Sequence, residues 1–382
     1  MRVTWHNYAV AALLACGLWL LGAENHPILP IGSAAPDFAL PGVDGKIHKL
    51  ADYAASPVLV VIFTCNHCPI AQMYEQRIER LYQDYRDKGV AVVAIQPNAP
   101  EALRIDELDS SDTSDTLEEM KIRVAFKHLT YPYLYDGETQ ATARAYGPQA
   151  TPHVFVFDRD RRLRYEGRMD NSYRVEMVRT ADARNAIDAV LAGKQLAVTH
   201  TGVFGCSTKW KEKEASRLEA LKKLEEKPVT LDLASADDLR QLRANPGHKL
   251  TLVSFWGTRC VSCLQQFAGL QATYRMYSVR DFNLVTVATN PPDERALVEK
   301  LLEQQHATSR NLLFASGDTA PLQRAFDAEW DSAAPYTALI APDGRILYRK
   351  VGPVNILELR RTILANMESE YAGFNQYWIT GR

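Results

Sequence analysis

Two cysteine pairs with the spacing Cys-x-x-Cys are the residues of this sequence best suited to chemistry. Cys65 and Cys68 follow an unbroken apolar run, Val58 to Phe63, and Cys260 and Cys263 follow a similar run. A segment with the apolar spacing of a helix comes next in both cases. A helix N-terminus carries about half a positive charge and free N–H groups. Both stabilise a thiolate, the nucleophile of disulfide exchange, so the pattern indicates two redox sites.

The elements that must position these pairs recur in the same order in both halves of the chain. The helix expected after the first pair spans Ile70 to Arg86, and the helix after the second pair ends near Tyr277. Later in each half a strand begins at a proline, Pro152 or Pro335, and a terminal helix follows. The sequence therefore predicts two similar α/β units.

An acidic stretch rich in Asp, Ser and Thr, from Glu101 to Glu119, interrupts the first unit. The first unit is 12 residues longer than the second between its second cysteine and its proline, and the part from Asp106 to Asp115 is the natural place for that insertion. This composition predicts a solvated loop that leads into a helix, Thr116 to Lys127. The stretch lacks the glycine that a calcium loop needs at its sharp turn, so we expect no metal there.

Length and composition indicate an ordinary globular protein of two or three domains. The chain has 382 residues, and a domain takes ~150 residues. Hydrophobic residues at 46% and charged residues at 24% are typical of globular domains. A net charge of −2 argues against nucleic acid as the main partner.

The first 23 residues have the pattern of an export signal. Arg2 provides the positive charge, Tyr8 to Ala23 is an uncharged apolar run, and Ala23 ends at a small-residue cleavage position. The run is shorter than the ~20 residues of a membrane span, so the alternative, an uncleaved membrane anchor, is the weaker reading. We expect residues 1–23 to be a signal peptide and the protein to be periplasmic or extracytoplasmic. Export would place the remaining cysteines where disulfides persist.

Cys206 is the cysteine that belongs to neither pair. Removal of the signal would leave five cysteines, so one thiol is unpaired or pairs transiently. Cys206 lies in a connector, residues 194–228, whose second half, Lys211 to Lys227, is predicted to be a charged helix. Two interpretations stay open: Cys206 resolves a mixed disulfide, or it is a buried free thiol.

Zinc binding is the main alternative to redox chemistry for two such pairs. Zinc sites of this kind separate their pairs by ~15–20 residues, whereas Cys68 and Cys260 are 192 positions apart. Each pair is also expected to begin its own helix. We therefore expect no metal and no cofactor other than the redox-active disulfides Cys65–Cys68 and Cys260–Cys263.

Each unit resembles a thioredoxin-like domain in its strand, Cys-x-x-Cys, helix and later strand entered through a Thr-Pro or Ala-Pro step. The resemblance covers about residues 29–193 and 229–367, and residues 368–382 form a tail. It implies an α/β protein with two thioredoxin-like folds in tandem, each a central mixed sheet flanked by helices.

The two units resemble different branches of this family. The first is similar to the redoxin (AhpC/TSA) branch in the segments Ala35–Pro41, Cys65–Pro69 and Tyr165–Arg168. The second is similar to the extracytoplasmic TlpA/ResA type in the segments Val253–Gly257 and Cys260–Cys263.

The resemblance also implies roles for the site residues. Cys65 and Cys260 would be the attacking thiolates at exposed helix mouths, and Cys68 and Cys263 the resolving thiols. Pro152 and Pro335 would be cis and would present backbone groups to a substrate strand. The simpler reading of each is a proline at a strand edge.

His67 occupies the intervening position that a histidine takes in oxidising proteins with Cys-Pro-His-Cys. A donor there stabilises the reduced thiolate and makes the disulfide a stronger oxidant. We therefore expect His67 to lower the pKa of Cys65 and to make the first pair the better oxidant. The alternative is a surface histidine without effect.

The resulting prediction is an exported thiol–disulfide oxidoreductase that exchanges with protein or small-molecule thiols and disulfides, with a membrane reductant or oxidant as a further partner. One alternative is a thiol peroxidase centred on Cys65, and another is a non-catalytic binding module of the same fold. The peroxiredoxin pattern Pro-x-x-x-Thr-x-x-Cys is absent at both Cys65 and Cys68, which favours exchange. The direction of electron flow is left open.

Overall fold

A computed structural model of the chain describes residues 26–330, 334–371, 374 and 378. The predicted signal peptide, residues 1–23, lies outside the described residues. In the part that is described, no helix is both long and apolar enough to span a bilayer.

The first domain is built around a five-stranded mixed sheet with helices on both faces. The strands of the domain, five of which form this sheet, are β1 (Ala39–Pro41), β2 (Ile47–Lys49), β3 (Val58–Phe63), β4 (Val90–Gln96), β5 (Tyr133–Tyr135), β6 (Ala150–Thr151), β7 (His153–Phe157) and β8 (Leu163–Gly167). Its helices are α1 (Pro69–Arg86), α2 (Leu117–Lys127), α3 (Ala141–Tyr146) and α4 (Asp182–Leu191). The strand order is β5-β4-β3-β7-β8. Strands β3, β4 and β5 run parallel, whereas β7 and β8 are antiparallel to their neighbours.

Strand β3 forms the centre of this domain because it is apolar on both sides. All six of its residues are buried. Val60 and Ile62 join the cluster that contains residues of α1 and α4, whereas Val61 and Phe63 join the opposite cluster, which includes Tyr146 of α3. Alternating side chains of a strand point to opposite faces, so a continuous apolar run is what a two-sided core requires. This packing fixes the end of β3, where Cys65 follows.

A connector with one short strand and one helix joins the domains: β9 (Cys206–Ser207) and α5 (Glu214–Glu225). The second domain then has strands β10 (Asp232–Ala234), β11 (Leu250–Trp256), β12 (Phe282–Ala288), β13 (Arg310–Phe314), β14 (Tyr336–Ile340) and β15 (Ile346–Val351). Its helices are α6 (Ala236–Ala244), α7 (Val261–Tyr277), α8 (Arg295–Gln304), α9 (Thr319–Phe326) and α10 (Ile356–Asn366). The strand order β10-β13-β12-β11-β14-β15 is again mixed. The predicted tandem α/β fold is confirmed.

Both prolines that begin strands follow cis peptide bonds, Thr151–Pro152 and Ala334–Pro335. This agrees with what the family resemblance implied. Presentation of backbone groups to a substrate strand stays a prediction.

The acidic stretch of the first domain is not a solvated loop, contrary to the sequence-based prediction. Asp112 and Asp115 are fully buried. Asp112 accepts hydrogen bonds from Arg123 of its own domain over 3.0 Å and from Arg361 of the second domain over 2.7 Å. The interior accepts the Asp112 carboxylate because cationic partners from both domains surround it, and Asp115 has partners within the first domain. The predicted helix that follows is present as α2, with Thr116 as its N-cap.

Candidate redox sites

The two helices that follow the cysteine pairs begin at different cysteines. In the first domain Pro69 is the first residue of α1 and Cys68 is the N-cap, so the Ala71 amide donates to the Cys68 sulfur over 3.5 Å. In the second domain Cys260 is the N-cap of α7, and the Cys263 amide donates to its sulfur over 3.2 Å. Proline is favoured at the first helical position because its missing N–H would have no partner there. The positive helix end therefore favours a thiolate on the second cysteine in the first site and on the first cysteine in the second site.

Both sulfurs of the first pair are buried. Cys65 is 1% exposed and Cys68 is 0% exposed, which contradicts the expectation that Cys65 lies at an exposed helix mouth. The physical reason is the connector: β9 pairs antiparallel with β6, immediately before Pro152, and lies against the cysteines. Cys65, Cys68 and Cys206 are free thiols here.

Three thiols and Thr151 meet at the first site. The Cys206 amide donates to the Cys68 sulfur over 3.2 Å, and the Cys206 thiol hydrogen-bonds the same sulfur. Thr151 Oγ1 lies 3.0 Å from the Cys65 sulfur, and the carbonyl oxygen of Thr151 lies 3.5 Å from the Cys68 sulfur. The ladder pairing of Thr151 with Cys206 holds this arrangement. The connector cysteine therefore belongs to the first site and is not an isolated core thiol.

His67 is buried in an ion pair, so the reading of a surface histidine is wrong. Its Nδ1 lies 2.6 Å from Asp115 Oδ2, and both side chains are almost completely buried. The other carboxylate oxygen accepts the backbone N–H groups of Asn66 and His67, over 2.9 and 3.1 Å. Asn98 Nδ2 also donates to Asp115, over 2.8 Å. Asp115 thus orients the imidazole and holds the backbone between the two cysteines.

Burial and charge shift the pKa values of His67 and Asp115 in opposite directions, and the effect of charge is the larger one. Burial lowers the pKa of His67, but the charge and hydrogen bond of Asp115 outweigh it and raise the pKa above its ordinary value. Burial raises the pKa of Asp115, but the charge of His67 and the hydrogen bonds from His67 and Asn98 hold it below its usual range. The geometry therefore favours the protonated form of a buried imidazole next to the first cysteine pair.

The negative charge of the first site belongs on Cys68. Burial alone would raise the pKa of Cys68, but hydrogen bonds from Cys206 and Cys65, the charge of His67 and the Ala71 amide hold it well below its usual range. Burial and then the hydrogen bond to Cys68 raise the pKa of Cys65. The hydrogen bond to Cys68 and then burial raise the pKa of Cys206. The expectation that Cys65 carries the thiolate is thereby corrected, because the helix end and both neighbouring thiols point at Cys68.

The second site is oxidised and more open. Cys260 and Cys263 form a disulfide. Cys263 is 1% exposed, whereas Cys260 is partly exposed. The Cys260 sulfur lies 3.8 Å from the carbonyl oxygen of Ala334, the residue before the cis-proline, and an open groove of about 280 Å³ borders both residues. The described residues include no strand paired with Ala334, in contrast to Thr151 in the first domain.

Two further residues of the second site have structural partners. The guanidinium of Arg259, the residue before Cys260, pairs with Glu294 over 2.5 Å. Trp256 is buried and packs edge-on against Phe267, with ring centroids 5.1 Å apart, in the cluster that contains Cys263. It therefore supports the pair from the core.

One group of residues has the proximity that a metal ion would need. Cys65, His67 and Asp115 bring ligand atoms within 4.8 Å of one another, and no other such group occurs in the described ranges. His67 and Asp115 already neutralise each other through the 2.6 Å contact. The exchange chemistry of the thiols needs no ion in this position.

Asp115 and Thr151 are site residues that were not predicted from the sequence. Thr151 had a signal, since it forms the Thr-Pro step that identifies the family. Asp115 had no signal in the sequence, because it is one of several acidic residues in a stretch that resembles a solvated loop. Its place against His67, 48 positions away, depends on the tertiary fold.

Two family models match the chain, one in each domain. Residues 31–166 match the AhpC/TSA family and residues 220–363 match Redoxin. No curated protein matches the chain significantly.

Several solved structures resemble parts of the chain. A hypothetical protein from Sinorhizobium meliloti 1021 is 36% identical, with a TM-score of 0.43, over 48% of this chain and 97% of its own. An uncharacterized conserved protein from Geobacillus kaustophilus is 37% identical, also with a TM-score of 0.43, over 48% of this chain and 94% of its own. A putative thiol:disulfide interchange protein DsbE from Chlorobium tepidum is 26% identical, with a TM-score of 0.33, over 43% of this chain and 99% of its own.

The family models and the sheet topology together define the class of protein. The chain consists of two tandem redoxin/thioredoxin-like domains, of which the first matches the AhpC/TSA family and the second matches Redoxin. The prediction of an AhpC/TSA-like first domain is confirmed. For the second domain the matching description is Redoxin, and the finer TlpA/ResA assignment stays a prediction.

Proposed function

We propose that the protein is a thiol–disulfide oxidoreductase with two separate sites, Cys65–Cys68 and Cys260–Cys263. The observation that carries this proposal is the position of each pair at the start of the helix after the central strand, beside a cis-proline. The helix N-terminus supports one thiolate in each pair, and a second thiol three residues away can close the disulfide. Protein or small-molecule thiols and disulfides are the proposed partners, with a membrane reductant or oxidant as a further one.

The proposed roles differ between the two sites. Cys260 is the attacking thiolate of the second site and Cys263 its resolving thiol, since Cys260 is the partly exposed N-cap. In the first site the stabilised thiolate is Cys68, and Cys65 completes the redox pair.

The test is reduction of insulin disulfides by the full chain in the presence of a dithiol reductant. One chain lacks the second pair through Cys260→Ser and Cys263→Ser, and the other lacks the first pair through Cys65→Ser and Cys68→Ser. Each should retain turnover. Adding Cys68→Ser to the former or Cys260→Ser to the latter should abolish it. Full turnover in a chain that keeps only one cysteine of a pair contradicts the assignment.

Peroxide reduction at the first site is a second candidate. It is favoured by the AhpC/TSA match and by the burial of the Cys68 thiolate, which a small oxidant reaches more easily than a protein disulfide does. The Cys68 sulfur would attack a hydroperoxide oxygen, release an alcohol or water, and become a sulfenic acid. A neighbouring thiol would then form the disulfide and release water. Rapid consumption of hydrogen peroxide that disappears in Cys68→Ser supports this candidate, and no consumption excludes it.

Export is proposed on the sequence of residues 1–23 alone. Mass measurement of the mature protein tests it. A mature chain that begins near residue 24 agrees with a cleaved signal peptide, whereas an intact Met1 agrees with an uncleaved anchor or with no export.

A further inference from the structure

Both cysteines of the first redox pair are buried, but a third cysteine beside them is partly exposed. Cys65 and Cys68 are at most 1% exposed. Cys206 is partly exposed, and its amide and thiol both contact the Cys68 sulfur. Of the three thiols in this site, Cys206 is therefore the one that an external molecule can meet without movement of the core.

The connector holds Cys206 in the position of an added strand. The ladder pairs Thr151 with Cys206 and Ala150 with Ser207, directly before the cis-proline. Gly205 allows the connector backbone to lie close to the backbone of Thr151, because a Cβ at this position would lie 2.0 Å from the carbonyl oxygen of Thr151. The chain itself thus pairs with the backbone edge that a substrate strand was expected to use.

We propose that Cys206 is a third redox thiol of the first site and exchanges with Cys65 as the disulfide partner of Cys68. This inference rests on the proposed redox function of the Cys65–Cys68 pair. In the exchange, the Cys206 sulfur bonds to the Cys68 sulfur and the Cys65–Cys68 bond breaks. The proton of Cys206 is transferred to Cys65. No external oxidant is needed, because one disulfide replaces another.

The electrostatics of the site permit this attack in the oxidised state. The largest cause that raises the pKa of Cys206 is its hydrogen bond to the Cys68 sulfur, and the Cys68 charge adds to it. When Cys68 is part of a disulfide it carries no charge, so this suppression of the Cys206 thiolate is removed. The helix N-terminus and His67 lower the pKa of Cys68, which makes Cys68 the better leaving group in the later step, when an external thiolate opens the Cys68–Cys206 bond.

The exchange moves the disulfide to Cys206, the partly exposed cysteine of the site. A thiolate of an external dithiol attacks the Cys206 sulfur and forms a mixed disulfide, and Cys68 leaves as a thiolate. The second thiol of the dithiol then attacks its neighbour's sulfur and releases Cys206. The external dithiol is oxidised by two electrons, and the first site is reduced by two.

The first experiment traps the proposed bond in the full chain that carries Cys260→Ser and Cys263→Ser. Adding Cys65→Ser leaves Cys68 and Cys206 as the thiols of the first site. The chain is incubated with glutathione disulfide, quenched in acid, alkylated and mapped by mass spectrometry. An intramolecular Cys68–Cys206 disulfide as the main product is expected. Cys68 and Cys206 found only alkylated or separately bound to glutathione would overturn the proposal.

The second experiment measures how fast dithiothreitol reduces the Cys65–Cys68 disulfide in the chain that carries only Cys260→Ser and Cys263→Ser. Cys206→Ser should slow the reduction at least tenfold. Ser207→Ala, the next residue of the same strand, is the matched control and should leave the rate unchanged. Reduction of the Cys206→Ser chain at or above the control rate overturns the relay but leaves the proposed function intact. If the Cys65–Cys68 disulfide never forms in the background chain, the proposed function of the first site fails and the relay fails with it.

Discussion

At the scale of single residues, the helix begins at the second cysteine of the pair in the first domain and at the first cysteine in the second domain. This difference has a chemical consequence. Pro69 makes Cys68 the cap of α1, whereas Cys260 caps α7. The same Cys-x-x-Cys spacing therefore supports a buried thiolate in one domain and a partly exposed nucleophile in the other. The buried His67–Asp115 pair reinforces the first of these, and the described residues of the second site contain no equivalent pair.

The substitution Asp115→Asn tests this pair directly. Without the carboxylate charge, burial dominates, and the pKa of His67 should fall from above its ordinary value to below it. A histidine titration by NMR measures this shift. The resonance of His153, which bonds Glu166 elsewhere in the domain, is an internal control and should not move. An unchanged His67 pKa in the variant would show that Asp115 does not hold the imidazolium.

The same pair predicts how stability depends on pH. Because the pKa of His67 is raised on folding, its contribution is complete below about pH 6.5 and is lost as the pH rises through the folded pKa. Because the pKa of Asp115 is lowered, its contribution is present above about pH 3.9 and is lost as the pH falls through the folded pKa. Wild type and Asp115→Asn should therefore differ most between these limits. Breaking a buried pair costs about 3–5 kcal/mol, and equal unfolding free energies in this window would contradict the account.

His67→Val should act on Cys68 rather than on Cys65. Loss of the imidazolium removes a charge that stabilises the Cys68 thiolate, so the pKa of Cys68 should rise and the first pair should become less oxidising. A tenfold change in the exchange constant equals about 30 mV for this two-electron couple. Thiolate absorbance against pH and a glutathione equilibrium measure both quantities. If neither moves, His67 has no redox role.

The chemistry of the site was predictable from local patterns, but its charge distribution was not. The two cysteine pairs, His67 and the two prolines all carry short-range signals in the sequence. The assignment of the thiolate to Cys65 was wrong because it depends on where the helix begins and on thiols that come from elsewhere. Asp115 and Cys206 reach the pair across 48 and 138 positions. No local pattern encodes such contacts.

At the scale of elements, strand β9 covers the first site and limits the access of external molecules to its cysteines. The segment around it is fixed to the first domain at several points: Thr201 bonds the backbone of Glu166, Thr208 donates to Pro148, and the Lys209 amide donates to Asn98. The connector therefore packs as part of the first domain. The second domain has an open groove at the corresponding cis-proline.

Gly205→Ala should loosen β9. The glycine has φ +136°, and an added Cβ would meet the carbonyl oxygen of Thr151 at 2.0 Å. Strain of this kind costs about 1–3 kcal/mol, so the strand should shift and Cys206 should be alkylated faster by iodoacetamide. Gly202→Ala is the matched control, because a Cβ there meets nothing within 4 Å. Equal alkylation rates in the two variants would show that β9 does not need this close approach.

Long apolar elements were predicted well, and short polar ones were not. The strands and helices next to the cysteine pairs begin and end within a few residues of the predicted positions, since their periodicity is strong. The edge strand β10, helix α6 and strand β9 were missed. Helix α6 has a capping box formed by Ser235 and Asp238, but its nine residues carry only a few apolar positions. Strand β9 has two residues and exists only because β6 is beside it.

At the scale of the whole molecule, the acidic segment joins the two domains. Tyr277 donates to the carbonyl of Ser111 over 2.8 Å, and Arg280 donates to the carbonyl of Asp109 over 3.0 Å. Arg361 bonds Asp112 and lies 3.6 Å from the ring centroid of Phe126. A tyrosine and two arginines of the second domain thus cover two carbonyls and a carboxylate of the first. The 12 additional residues of the first domain have a structural role that composition alone concealed.

Arg361→Ala tests this interface. The substitution removes one partner of the buried Asp112 carboxylate and should cost about 2 kcal/mol, the scale of a hydrogen bond to a charged group. Thermal unfolding measures the loss. Arg345→Ala, which breaks an exposed pair with Asp343 in the same domain, is the control and should lower stability much less, because solvent screens exposed pairs. Equal effects of both substitutions would argue against a tight contact between the domains.

The most direct test of the whole account is a redox titration of each pair in the full chain, with the other pair replaced by serine. The chains are equilibrated in glutathione buffers, quenched in acid and alkylated, and the fraction of each disulfide is measured by mass. We expect two reversible two-electron transitions, with the first pair more oxidising than the second because of the His67–Asp115 pair. A pair that stays fully oxidised or fully reduced across all buffers, or a first pair that is the more reducing one, would contradict it.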